Sequence, residues 1–236
     1  MGRLLHLSYL HFGTERSGLV APLIALAQRL RPDAVVISGD LTQRALPAQW
    51  AAAQRLIAAL PGPVLCVPGN HDVPLYNPLA RLLQPWRGYR AVAGPDLEPV
   101  VETGDLLVVG VNTTDPYVWQ RGTLRPASLR HVAQVFALAR PGQLRVVALH
   151  HPLTTPAATG KTPMKGADEG AESLARAGAD VILSGHLHLW AAAPFALRKS
   201  ARSMLCVQAG TTLSSRLRGE DNDLNVIDFD QGLVTV

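Results

Sequence analysis

Five short polar segments carry most of this chain's capacity for chemistry: Tyr9-Leu10-His11, Gly39-Asp40, Gly69-Asn70-His71-Asp72, His150-His151-Pro152 and Gly185-His186-Leu187-His188. They hold six of the chain's eight histidines. Imidazole nitrogen with carboxylate and amide oxygen is a donor set suited to Mn, Fe or Zn. Singly, each segment is a weak signal. Gly-Asp after a strand is commonly a turn, and Gly-Asn-His-Asp makes a turn because Asn and Gly tolerate left-handed backbone. A lone histidine in an apolar run is usually a core residue with its hydrogen bonds satisfied, and His6 and His131 are assigned to that class. Gly-His-x-His says more, since alternate residues of an extended segment point the same way.

What makes the set informative is position. Each segment follows an apolar run, and in open α/β sheets ligands gather where loops converge at the carboxyl ends of the strands. The runs are Leu4–Leu7, Ala34–Ile37, Val64–Val67, Leu106–Val111, Leu144–Leu149, Val181–Leu183 and Leu205–Val207, short and bounded by turn residues or histidine as buried strands are. Between them lie helix-like stretches at Leu19–Leu30, Pro47–Leu60, Pro126–Arg140 and Asp168–Ala177. The alternation predicts an α/β fold with layered sheets. From Leu205 onward the pattern predicts strands, a turn near Gly219–Asn222 and a final hairpin around Asp230–Gly232. The loop Thr154 to Gly166, rich in Thr, Pro, Gly and Lys, directly follows the histidine pair. Its place suggests a mobile lid, and a plain surface connection is the alternative. Lys161 and Lys165 in it are expected to be solvated surface lysines unless the loop borders the site.

The 236 residues, 47% hydrophobic, suit one domain with a large core. Charged residues make up 17% of the chain, against a usual ~25%, which excludes long charged tails. The net charge of +4 mildly favours anionic substrates. No aromatic-and-basic track for a nucleic acid strand is present. No run is long and apolar enough for a membrane span, and the chain enters a strand pattern without a leader, so a cytoplasmic protein is expected. Cys66 and Cys206 sit in apolar strand-like runs and read as reduced thiols rather than a disulfide.

Taken in order, the five segments resemble the calcineurin-like metallophosphoesterase superfamily, whose first motif is D-x-H. "QAGTTLSSRLRGE", residues 208–220, resembles the strand and turn that follow G-H-x-H in its small bacterial phosphodiesterase branch. The resemblance implies two mixed β-sheets packed as a sandwich and flanked by helices in four layers, formed by residues 1–236 as a single domain. It implies a centre for two divalent or mixed-valence metal ions. Asp40 would bridge both, His11 and His188 would bind the first, and Asn70, His150 and His186 the second. His71 would act on the phosphate, stabilising charge or protonating the leaving oxygen, with Asp72 orienting it. His151 would support the site from behind. The reaction implied is phosphodiester hydrolysis, more than monoester hydrolysis, by a metal-bound hydroxide. A small phosphate ester would be the substrate, with nucleic acid possible but not favoured and a homo-oligomer open.

Tyr9 departs from the pattern, standing where the first motif has Asp. A phenol ionises near pH 10 in water and reaches farther than an Asp side chain, so it is no simple replacement. Three readings follow. Tyr9 swings aside and leaves the first metal weakly held. Tyr9 binds a hard trivalent iron as phenolate. Or its ring reshapes the pocket for a bulky or aromatic substrate. The alternative to an enzyme is a ligand-binding pseudoenzyme with a degraded first metal site, and only Tyr9 favours that.

Overall fold

The computed structural model describes residues 2–196, 203–230 and 232–236. Its strands are β1 (Gly2–Leu7), β2 (Ala34–Ile37), β3 (Val64–Cys66), β4 (Val100–Glu102), β5 (Leu106–Val111), β6 (Leu144–Leu149), β7 (Val181–Ser184), β8 (Ala191–Ala196), β9 (Ser203–Gln208), β10 (Asn225–Asp230) and β11 (Leu233–Thr235). Its α-helices are α1 (Val20–Leu30), α2 (Pro47–Ala59), α3 (Pro78–Leu83), α4 (Arg87–Ala93), α5 (Pro126–Phe136) and α6 (Ala167–Ala177). One sheet has the order β11-β10-β1-β2-β3 and the other β4-β5-β6-β7-β9-β8. β1, β2 and β3 run parallel, as do β5, β6, β7 and β9, and antiparallel strands close every edge but that at β3, so both sheets are mixed.

The two-residue period of a strand sorts the side chains into layers. Leu4, Val36 and Leu65 of the first sheet meet Val108, Val146 and Leu183 of the second in a core between the sheets. Their neighbours Leu5, Leu7, Val35 and Ile37 face the opposite way, onto α1, α2 and α4 through Leu23, Trp50, Leu56 and Tyr89. On the far side Leu107, Val109, Val147 and Ile182 pack under α5 and α6 against Val132, Phe136 and Leu174. Helix, sheet, sheet and helix therefore make four layers, and strands buried on both faces read as unbroken apolar runs.

Several sequence expectations need correction. α5 stops at Phe136, short of Arg140, because the chain turns there and the Arg140 N–H is taken by Gln143 Oε1 (2.8 Å). α3, α4, β4 and β8 carry no clear period in the sequence. β10 and β11 pair as a hairpin, but residue 231 at its turn lies outside the described residues. His131 is half-buried with its Nε2 unpartnered, so it is not a satisfied core histidine. Cys66 and Cys206 are free thiols, Cys206 only half-buried. No helix among the described residues is long and apolar enough to cross a membrane.

His6 does sit wholly inside. Its Nε2–H donates to Ser38 Oγ (2.9 Å), and its Nδ1 accepts from Asn225 Nδ2 (3.2 Å). Burial pushes its pKa down to about 3. The unfolded chain takes up this proton near pH 6.5 and the folded chain only near 3, so stability falls as pH drops through that window. Urea unfolding across that range is expected to show this acid slope, of the order of a few kcal/mol in total. In His6→Gln the slope flattens while stability at neutral pH drops. An equally steep slope in the variant would assign the effect to other groups.

Candidate metal centre

All five polar segments converge where the parallel strands end. The loops after β1 and β2 run side by side, with His11 N–H donating to the Asp40 carbonyl and Phe12 N–H to that of Leu41, each at 3.0 Å. Gly185 N–H donates to the His150 carbonyl (3.0 Å), tying the loop after β7 to the end of β6. The path is strained. Tyr9, His11, Asp40, His186 and His188 all have positive φ, between 42° and 72°. Left-handed backbone is unfavourable for such residues, at roughly 1–3 kcal/mol each, and concentrates at functional sites. Gly39, at φ +91°, starts the turn that delivers Asp40. Gly69 is needed for another reason, since a Cβ there would strike the Asp40 carboxylate and backbone nitrogen.

Asp40 lies at the centre. Its Oδ2 is 3.6 Å from His11 Nε2 and 3.6 Å from His150 Nε2, while its Oδ1 accepts from the His71 backbone N–H at 3.0 Å. On the His150 side, His150 Nε2 and His186 Nδ1 are each 3.2 Å from Asn70 Oδ1 and 3.3 Å from one another. On the other side, donor atoms of His11, Asp40 and His71 lie within 4.8 Å of one another. His188 is drawn into neither compact donor group and stacks on Tyr9 instead, with ring centroids 3.7 Å apart.

Partners behind the rings fix which nitrogen faces inward. His11 Nδ1 is bonded to the Thr42 carbonyl (3.3 Å), His150 Nδ1 to that of Ser38 (2.8 Å) and His188 Nδ1 to Thr211 Oγ1 (3.0 Å). Such partners set the tautomer and leave Nε2 as the free donor. His151 differs, because Thr113 Oγ1 (2.9 Å) and the Gln120 carbonyl (3.0 Å) occupy both its nitrogens. It offers no free nitrogen.

The electrostatics call for a cation. Burial holds His11 down to about 3 and His186 to about 4, and lowers His150 as well, so these rings are neutral at neutral pH. Burial also opposes ionisation of Asp40, but attraction to His150, His71 and His11 whenever those rings carry a proton, together with the His71 N–H, outweighs it and holds the carboxyl below its ordinary range. The result is a buried carboxylate among neutral rings. His11 Nε2 and the Tyr9 hydroxyl are buried without hydrogen-bond partners. Two ligand bonds of about 2.1 Å meeting at a wide angle put donors about 3.5 Å apart, close to the observed spacings. The donor set therefore fits metal ions at both ends.

Two expectations do not match the geometry. Asp72 does not orient the His71 ring, whose Nδ1 is held by the Gln43 carbonyl at 3.0 Å. The Asp72 carboxylate instead accepts from the N–H groups of Leu41, Thr42 and Gly69 at 2.9–3.2 Å, pinning the Asp40 loop to the Asn70 loop. Burial, then the Asp40 charge, pushes its pKa up to about 7. Lys161, expected in solvent, is half-buried. It donates through Nζ to the His186 carbonyl, and burial with Arg218 nearby lowers its pKa to about 8. The loop Thr154 to Gly166 does border the site. Tyr9, Thr159, Lys161, Arg216 and Arg218 help line a cavity of about 240 Å³ that also exposes Asp40, Asn70 and His71. Arg216 and Arg218 were not read as site residues. They sit inside the quoted "TTLSSRLRGE" segment, but one arginine among others carries no spacing signal.

The Tyr9 ring has not turned away from the site. It is 1% exposed, with its centroid 5.3 Å from that of His11. Its unpartnered hydroxyl yields a prediction. An unsatisfied buried hydroxyl costs roughly 1–3 kcal/mol. Tyr9→Phe should therefore leave the metal-free protein as stable or up to that much more stable in urea melts, with metal content unchanged. A variant that loses metal instead would make Tyr9 a ligand.

The sequence matches the calcineurin-like phosphoesterase family over residues 2–189. The chain belongs to that family. It is 30% identical over 203 residues to a cAMP/cGMP dual specificity phosphodiesterase of Mycobacterium tuberculosis, a match covering 81% of this chain and 60% of that protein. A segment of 44 residues is 48% identical to a glycerophosphodiester phosphodiesterase of Enterobacter lignolyticus, covering 19% of this chain and 16% of that protein. The chain thus spans less than two thirds of the length of these relatives. In fold it is similar to a purple acid phosphatase from yellow lupin, with a TM-score of 0.71 at 13% identity, covering 98% of this chain and 50% of that one. A dimetal phosphatase from Danio rerio gives 0.68 at 10% identity, covering 96% and 92%.

Proposed function

We propose that this protein is a metal-dependent phosphodiesterase acting on a small phosphate ester at a centre for two metal ions, Mn, Fe or Zn. The observation that carries the reading is Asp40 Oδ2, 3.6 Å from a histidine of each donor group. His11, Asp40 and His188 would hold one ion, and Asp40, Asn70, His150 and His186 the other. Bound there, such ions supply charge stabilisation to the phosphoryl oxygens and lower the pKa of water. The chain's own residues do the rest. Lys161, Arg216 and Arg218 draw the anionic ester into the cavity and offset its charge. His71, whose Nδ1–H is held by the Gln43 carbonyl, would carry a second proton on Nε2 as imidazolium and give it to the departing ester oxygen as water attacks phosphorus and the P–O bond breaks, the proton shed by that water passing to solvent. The Tyr9 ring forms one wall, and His151 braces the end of β6 from behind. A diester fits better than a monoester because both curated relatives are named as phosphodiesterases. One observation favours a second reading, a ligand-binding pseudoenzyme: the Tyr9 ring stacks on His188 at 3.7 Å, where the first ion would need that histidine.

Turnover of bis(p-nitrophenyl) phosphate with parallel metal analysis separates the two. Hydrolysis should be lost on chelation and restored by Mn²⁺. A rate unchanged after thorough chelation would sink the metal-dependent reading, and metal binding without turnover would support the pseudoenzyme. His71→Ala should lower turnover ~10²–10⁴-fold while metal content stays near normal. Metal lost in proportion to activity would make His71 a ligand.

A further inference from the structure

Beyond the cavity, one stretch of surface stands out. Thirteen large hydrophobic side chains are exposed among the described residues, and seven of them fall on two short segments. Tyr76, Leu79, Leu82 and Leu83 lie on and just before α3, and Tyr117 to Trp119 on the loop after β5. The segments are packed together. Tyr117 hydroxyl donates to the Leu82 carbonyl (3.3 Å), and Arg81 donates to the carbonyls of Pro74 (3.3 Å) and Val118 (3.5 Å). The patch adjoins the metal centre, because a second cavity lined by Leu75, Arg81 and Trp119 shares Asn70, His71, Gln120 and Arg216 with the first.

Its charge has one sign. Residues 73–95 contain no Asp or Glu but include Arg81, Arg87 and Arg90. Arg44 stacks over Tyr76 at 5.6 Å, and Arg121 follows the Trp119 segment. Of the acids nearby, Asp115 lies 4.0 Å from Arg125, and Asp96 and Glu98 line a separate cavity with Trp86 and Arg90. Leucines and aromatics among arginines are what a surface needs to lodge at the boundary of an anionic bilayer, apolar groups entering the acyl edge and guanidinium groups meeting the headgroups. A second copy of this chain suits it less well. A two-fold interface sets a patch against itself, so these arginines would meet like charge with few acids to answer them.

We propose that this patch docks the protein on an anionic lipid surface. On the phosphodiesterase reading, which the docking itself does not require, the catalytic cavity then opens toward esters carried in the bilayer.

Sedimentation of the full chain with vesicles tests this, using phosphatidylcholine alone and an equal mixture with phosphatidylglycerol. The protein should pellet with the mixed vesicles, much less with phosphatidylcholine, and less again as salt rises. The double variant Leu82→Glu, Leu83→Glu should bind the mixed vesicles at least about tenfold more weakly. Its rate with bis(p-nitrophenyl) phosphate in solution should match that of the parent protein, which also shows that it folds. The idea is overturned if the parent protein stays in the supernatant, or if the variant binds as well. It is also overturned if the parent is a dimer that the variant converts to monomers without vesicle binding by either, since the patch is then a subunit interface. Failure of the parent to hydrolyse the diester would remove the phosphodiesterase reading and leave the vesicle result standing.

Discussion

A single buried carboxylate organises this molecule. Asp40 is held ionised where ionisation is expensive, among histidine rings kept neutral by the same burial. A lone charge in such a place costs several kcal/mol unless something of opposite sign answers it. The His71 N–H answers part of it, and the remainder is the reason the donor groups fit cations. The surrounding loops are arranged around that point. Asp72, buried beneath, clips the Asp40 turn to the Asn70 turn and relieves its own desolvation with backbone N–H groups.

That arrangement has a conformational cost borne by the rest of the fold. Five residues of the site sit in left-handed backbone, none of them glycine. Strain of this kind persists only where neighbouring structure over-determines the path. Here each strained loop leaves a strand fixed on both faces, β1 and β2 between the helix layer and the inter-sheet core, β7 between the inter-sheet core and the α5–α6 layer. The loops then lean on one another through bonds such as His11 N–H to the Asp40 carbonyl and Gly185 N–H to that of His150. Two sheets packed face to face let the ends of β1, β2, β6 and β7 meet at one spot, although the residues they deliver are up to 179 positions apart in sequence, as with Tyr9 and His188.

Much of this is legible from local pattern. Strands buried on both faces leave unbroken apolar runs, and the residue types just past them name the donors. What escaped notice lacks such a signature. α3 and α4 are only six and seven residues long, and the leucines of α3 face outward while α4 buries little beyond Tyr89, so no period marks them. Asp72 and Lys161 were misplaced because their roles depend on partners far away in sequence: the N–H of Leu41, 31 residues before Asp72, and the carbonyl of His186, 25 residues after Lys161. The arginines at 216 and 218 likewise gain meaning only from the cavity they share.

Tyr9 alters the balance of this centre in a direction that can be reasoned out. An aspartate in its place would add a second anion beside the first donor group; the phenol does not, unless it loses its proton. Around it stand Lys161, Arg216 and Arg218, so the cavity has one fixed carboxylate facing three basic side chains before any metal enters. Such a site repels cations more and attracts anions more than one with the second carboxylate. On the proposed function, a first ion would then be held by Asp40, by neutral nitrogen and by whatever anionic oxygen the ligand itself brings. Affinity for that ion and affinity for a phosphate ester would then be linked, each raising the other as thermodynamic reciprocity requires. The stacking of Tyr9 on His188 adds to this coupling, since the imidazole can turn toward an ion only by giving up its contact with the phenol ring. On that reading, a tyrosine at this position would make metal loading depend on the substrate.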